Sequence, residues 1–220
     1  KAVDGAAADT PAEIQAIVDA YNKVLAAADG TDGNAAAAPS AADYSAIGVA
    51  GTTDASAKLL SDMVDGLAAT AVDTVAELQA LADAAKAAVD YTGAAGQTAP
   101  TAEQLNAIAG GAGVTADNLA AVQAAVAAAN ADADGKPVTQ AELQAIIKAI
   151  SDAAAGIGQF AQDNSTGLAN ATGTAPVTGD YTKAGVTGVT TGNVAAINDV
   201  LASKAVDGAA ADTPAEIQAI

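Results

Sequence analysis

Apolar residues recur along this chain at spacings of three and four. One run is Ile14, Ile17, Val18, Tyr21, Val24 and Leu25; another is Leu143, Ile146, Ile147 and Ile150. Each set falls on one side of a 3.6-residue helix and predicts an amphipathic helix with one buried stripe. A common phrase opens such helices four times: Thr10-Pro-Ala-Glu13-Ile-Gln-Ala-Ile17, Thr74-Val-Ala-Glu77-Leu-Gln-Ala-Leu81, Thr139-Gln-Ala-Glu142-Leu-Gln-Ala-Ile146 and Thr213-Pro-Ala-Glu216-Ile-Gln-Ala-Ile220. It reads as a capping box, in which the Thr at the N-cap and the Glu three residues on satisfy each other's free backbone N–H groups. Pro11 and Pro214 fall at the first helical position, where a missing N–H costs nothing.

Two further patterns lie between these helices. Ala38-Pro39 with Tyr44, Ala99-Pro100 with Leu105 and Ala175-Pro176 with Tyr181 place an apolar residue five positions after a proline. Each predicts a short helix ending at Gly48, Gly110 or Gly185, which suit a left-handed C-terminal turn. A third stripe follows: Leu59, Leu60, Met63, Val64 and Leu67; then Leu119, Val122 and Val126; then Val194, Ile197, Val200 and Leu201. The segments 114–118 and 189–193 are matching starts for the last two. The order short helix, middle helix, capped helix thus occurs three times, and all six prolines stand at or just before a helix start.

The expected fold is all-α, with no strands: small three-helix bundles in tandem, forming an elongated array. The expected bounds are 1–28 for the last helix of a preceding triplet, 39–95 and 100–160 for two full triplets, and 176–220 for an incomplete one. A triplet of this size sits near the lower limit for a stable core. Contacts between neighbouring triplets are therefore expected to contribute.

A longer repeat encloses these. Residues 1–17, KAVDGAAADTPAEIQAI, recur letter for letter as residues 204–220, an offset of 203. Chance does not produce this, and a tandem array with a period of about 203 residues does. The phrase reaches Ile220 in mid-pattern, where the first copy runs on through Val18 and Tyr21. The chain is therefore expected to be a segment of a fibre or filament.

Composition narrows the chemistry. The 220 residues include no Cys, His, Trp or Arg, and a single Phe. Disulfides, Cys or His metal sites and His-dependent nucleophile systems are excluded. Sixty-seven residues are Ala, so the 51% hydrophobic content reflects small helix formers rather than bulky core residues. Twenty-one Asp and five Glu against eight Lys give a net charge of −18. Such a surface repels phosphate backbones and anionic lipid, so neither nucleic acid nor membrane insertion is expected. No apolar run approaches the roughly 18 residues of a membrane span. The acidity fits a protein of a salty, calcium-bearing medium, or equally a charge that keeps an Ala-rich chain soluble.

Candidate sites are few. Asn130-Ala-Asp132-Ala-Asp134-Gly135 matches the opening of a calcium loop, with Glu142 one place beyond the position of the bidentate acid. Asn130, Asp132, Asp134 and Glu142 are thus a calcium candidate, and an Asp-rich turn is the structural alternative. Asp29-Gly-Thr-Asp32-Gly-Asn34 reads as an acidic linker. Tyr21, Tyr44, Tyr91 and Tyr181 could stack on a sugar, but Tyr44 and Tyr181 hold equivalent positions that suit packing. No phosphate-loop motif and no carboxylate pair suited to glycoside hydrolysis is present. No catalytic residue, cofactor site or enzyme activity is assigned.

The phrases PSAADYSAIGV, GVTADNLAAVQAAV and DTPAEIQAIVDAYNKVL resemble the Ala/Asp/Thr-rich helical repeats of giant bacterial surface proteins. They are similar in style to stalk regions of type I-secreted, RTX-type adhesins and biofilm-matrix proteins. The resemblance covers essentially the whole chain, although the RTX glycine-aspartate nonapeptide is absent. It implies an extracellular location, a spacer role and binding domains elsewhere in the parent protein. The partners expected are neighbouring repeats of the same chain and, laterally, other copies in a fibre. A second class of function is a helical module that binds a ligand or host protein through one helix face.

Overall fold

The computed structural model describes residues 8–31, 33, 38–111, 113–131, 138–165, 173–203 and 205–220. It is all-α. Its helices are α1 (Pro11–Ala27), α2 (Ala41–Ala46), α3 (Asp54–Asp65), α4 (Val75–Asp90), α5 (Ala102–Ala109), α6 (Leu119–Asn130), α7 (Gln140–Asp163), α8 (Thr178–Lys183), α9 (Val194–Leu201) and α10 (Pro214–Ala219). Among the described residues there is no strand, and one isolated antiparallel bridge joins Asp29 to Ala68. No described helix is long and apolar enough to cross a membrane.

The helix starts follow from local chemistry. Thr10, Thr74, Thr139 and Thr213 each take the N–H of the Glu three residues on, at 3.2–3.3 Å. Each Glu carboxylate returns to the threonine N–H at 2.8–3.1 Å. Both proline-led phrases place Pro at the first helical residue. The short helices stop at glycines: Gly48, Gly110 and Gly185 have φ of 90°, 70° and 79°. Middle helices α6 and α9 begin on an Asn that closes a tight turn. Asn118 accepts from Thr115 N–H and donates to the Gly113 carbonyl, both at 2.9 Å. Asn193 does the same with Thr190 and Gly188 at 2.7 and 2.9 Å.

The chain divides into two compact units, residues 1–112 with 127–143 and residues 113–126 with 144–220. In the first, α1 packs on α2 and α3, α3 packs on α4, and α4 packs on α5. Its buried residues include Val24, Tyr44, Leu59, Leu60, Met63, Leu78, Leu105 and Ile108. In the second, Ala154, Ile157, Phe160 and Ala161 of α7 meet Tyr181, Leu201, Val206 and Ile217 in one cluster. Some alanines take part in these cores, Ala20, Ala57, Ala85 and Ala88 in the first and Ala154, Ala161, Ala184 and Ala211 in the second, and a small side chain lets helices approach closely.

Candidate functional site

The equivalent positions of the triplets carry a recurring polar joint. Tyr44 of α2 is fully buried, and its hydroxyl lies 3.1 Å from Ser61 Oγ on α3. Ser61 in turn donates to the Pro39 carbonyl at 2.7 Å. The same relay stands 137 positions later: the Tyr181 hydroxyl donates to Asn198 Oδ1 at 2.6 Å, and Asn198 Nδ2 donates to the Pro176 carbonyl at 2.8 Å. It ties the proline junction, the short helix and the middle helix together. The counterparts in the other triplet are Leu105 and Val122, both fully buried, so hydroxyl and acceptor have been replaced together by apolar groups. Burial pushes both phenols up to about 12.

A second joint uses the glutamine of the capped-helix phrase. Gln79 Oε1 accepts the Ala50 N–H at 2.8 Å while its Nε2 donates to the Ala50 carbonyl at 3.1 Å. Gln218 holds Thr187 in the same way, at 2.7 and 3.3 Å. The capped helix thus grips the loop that follows the short helix by both backbone groups of one residue. A third contact is steric. A side chain on Gly158 of α7 would lie 3.0 Å from the Ala211 carbonyl and from Asp212. One on Gly208 would meet Gln162 at 2.7 Å and the Gly158 carbonyl at 3.0 Å. Two glycines therefore let the segment before α10 lie directly on α7, where Gly208 N–H also donates to Gln162 Oε1 at 3.2 Å.

Charges support these joints at the surface. Lys23 of α1 meets Asp43 of α2 at 2.6 Å. Burial would push the Asp43 carboxyl up, but bonds from Lys23 and Ser40 and the Lys23 charge hold it at about 2. Lys86 pairs with Asp90, and Lys148 with Asp152, within their own helices. Asp65 stands apart. It is buried where the other triplets have Val126 and Ala202; one oxygen accepts Gly33 N–H at 2.6 Å and Oδ1 has no partner.

The calcium candidate divides. Asp132 and Asp134 lie outside the described residues, as does Asp32 of the acidic linker. Asn130 Nδ2 donates to the Ala88 and Tyr91 carbonyls at 2.7 and 2.8 Å, and its Oδ1 accepts Val138 N–H at 2.9 Å. Glu142 closes the α7 capping box. The described ends of the loop are thus bonded to protein. Among the described residues, no three acidic side chains gather into a group that could hold a metal ion. Of the four tyrosines, Tyr44 and Tyr181 are buried, and Tyr21 donates to the Val72 carbonyl at 3.4 Å.

Shallow clefts complete the surface. One of about 340 Å³ is lined by Ile17, Val18, Tyr21, Asn22, Ile47, Asp73 and Val75. Two others lie where a capped helix meets the next Ala-Pro junction, at Asp83–Asp90 with Ala99 and at Asp152–Ile157 with Pro176. Of the carboxylates in these two, Asp90 and Asp152 pair with lysines, Asp83 accepts from the Gln79 amide at 2.8 Å and Asp180 from the Val177 N–H at 2.9 Å. Comparison with protein-family models, with curated proteins and with solved structures gives no match. Sequence reasoning missed the glutamine grip and the Tyr–Ser/Asn–Pro relay. Their signals were a Gln at the same place in all four phrases and a spacing of 17 between the relay partners.

Proposed function

We propose that this chain is a structural tandem repeat of a very long extracellular bacterial surface or matrix protein, with small three-helix bundles in series giving reach and fibre or stalk architecture. The observation that carries the reading is the letter-for-letter return of seventeen residues after 203. A folded enzyme or a single binding module has no use for such a return, whereas an array grows by it. The recurring joints support it, because the relay ties the short and middle helices to their proline junction and the glutamine ties the capped helix to the loop between those two helices. A helix such as α1, seventeen residues long, spans about 26 Å, so many triplets in series reach far with little material. Acidic surfaces keep neighbouring chains apart unless salt or divalent cations screen them.

Electron microscopy of the native protein, with and without a calcium chelator, tests this. Regular filaments whose period matches one 203-residue repeat support the reading, and their loss on chelation adds divalent bridging. Compact particles that capture a ligand or host protein through one helix face overturn it in favour of a binding module.

A further inference from the structure

One position of the capped-helix phrase behaves differently in its four copies. Leu78, Leu143 and Ile217 are buried, at 0%, 0% and 3% exposed, while their counterpart Ile14 is 50% exposed. Ile14 and Ile217 sit in identical seventeen-residue sequences and behind identical capping boxes. Gln218 grips Thr187, as Gln79 grips Ala50 while also bonding Asp83 on its own helix; Gln15 bonds Asp19 on its own helix at 2.8 Å. Pro214 is buried and Pro11 is exposed. Local sequence cannot cause these differences. What distinguishes the copies is the chain ahead of them, because Ile217 belongs to the cluster built by α7, Tyr181, Leu201 and Val206.

The helix itself carries two faces. Ala20, Val24 and Ala27 are the buried residues of α1. At 3.6 residues per turn, Ile14 and Val18 lie on a stripe roughly 130° around from them. Val18 is 44% exposed. Helix α4 shows such a helix with both faces in use, since it packs on α3 ahead of it and on α5 behind it. Helix α1 shows only the contacts with the helices that follow it.

Resting on the array reading, we infer that α1 is a helix shared between successive 203-residue repeats. Its first half, through Ile14 and Gln15, completes the core of the preceding copy of residues 144–206 on the same polypeptide. Its second half, through Ala20, Val24 and Ala27, completes the repeat that it opens. The junction between repeats is then a continuous helix, stiff where a flexible linker would bend. Gly158 and Gln162 of each copy are the seat for the first residues of the next.

The test compares the present chain with one carrying a further copy of residues 1–203 ahead of Lys1. In the present chain Ile14→Asp leaves the melting temperature unchanged, whereas Ile217→Asp lowers it by roughly 10 °C. In the longer chain the same change in the interior copy of the helix is as damaging as Ile217→Asp, and amide exchange of its first half slows at least tenfold. Should the aspartate variants fail to fold, interior Gln→Ala at the counterpart of Gln15 and Gln218 gives the milder readout. An interior Ile→Asp that stays silent with unchanged exchange overturns the inference. Concentration-dependent association of the present chain that Ile14→Asp abolishes also overturns it, by placing the occupant on a second molecule. Filaments by microscopy with a silent interior substitution leave the array standing and remove only the shared helix.

Discussion

Replacing Ser61 with Ala removes one oxygen and strands two polar groups. Ser61 is 3% exposed; it accompanies the Tyr44 hydroxyl at 3.1 Å and donates to the Pro39 carbonyl at 2.7 Å. Tyr44 and Pro39 are buried as well, so water does not replace the lost partner. A buried polar group without a partner costs about 1–3 kcal/mol, and two of them give about 2–4 kcal/mol here. For a chain of this length that is a fall in melting temperature of roughly 5–12 °C. Tyr44→Phe alone leaves Ser61 bonded to Pro39 and costs about 1 kcal/mol. The double variant costs less than the sum by about 1–2 kcal/mol, because Phe removes the hydroxyl that Ser61→Ala strands. The assay is urea unfolding of the four proteins by circular dichroism, with amide exchange in α2 and α3 to place the loss. Single costs below about 0.5 kcal/mol, or additivity of the two changes, would refute the relay as a stabilising joint. The triplet with Leu105 and Val122 shows the alternative solution, in which neither polar group is present to be stranded.

Three further outcomes follow from the geometry. Gly158→Ala adds a methyl 3.0 Å from the backbone of residues 211 and 212; an isolated helix would gain about 1 kcal/mol from the change, but here the melting temperature falls and exchange rises across 205–219. A rise in stability would show that the segment does not lie on α7. Gln79→Ala frees both polar groups of Ala50, which is solvent-exposed, so the cost stays near 1 kcal/mol and the faster exchange is confined to the loop at 48–53; a global loss would contradict a local grip. The pH profile has two edges. Tyr44 titrates at about 12 folded and near 10 unfolded, so its stabilisation is complete below pH 10 and is lost between 10 and 12, about 3 kcal/mol in all. Thr10 and Thr213 hydrogen bonds hold Glu13 and Glu216 below the ordinary range, and Asp43 is held at about 2. Stability therefore also declines as pH falls from about 4 toward 2, by under about 1 kcal/mol for the part-exposed Lys23–Asp43 pair. A melting temperature flat from pH 10 to 12 would contradict the burial of the phenols.

Much of the helical pattern was legible because its causes are local. A Thr and a Glu three residues apart cap a helix wherever the chain reaches solvent, and a glycine four residues past Tyr44 or Tyr181 turns left-handed whatever packs nearby. The equivalence of Tyr44 and Tyr181 followed from spacing alone. Their hydroxyl partners did not, since Ser61 and Asn198 lie on another helix and only packing brings them to the phenol. The stripe from Ile14 to Leu25 reads as one buried face, but in the structure Val24 is buried while Ile14 and Val18 are exposed. Periodicity reports which side of a helix is apolar, not which neighbour covers it. Gly158 was invisible for a similar reason: a glycine within a helix looks like a weak spot until a second backbone is seen lying against it.

By itself, then, the amino-acid sequence determined that this protein is all-α, where its helices start and stop, and that its parts return in the same order, because capping, glycine turns and repetition are properties of neighbouring residues. The tertiary structure decided which apolar residues are buried, which polar groups are joined across helices, and why Ile217 is covered while Ile14, in an identical phrase, is half-exposed. Those depend on what the rest of the chain brings alongside, and burial is a property of surroundings rather than of sequence.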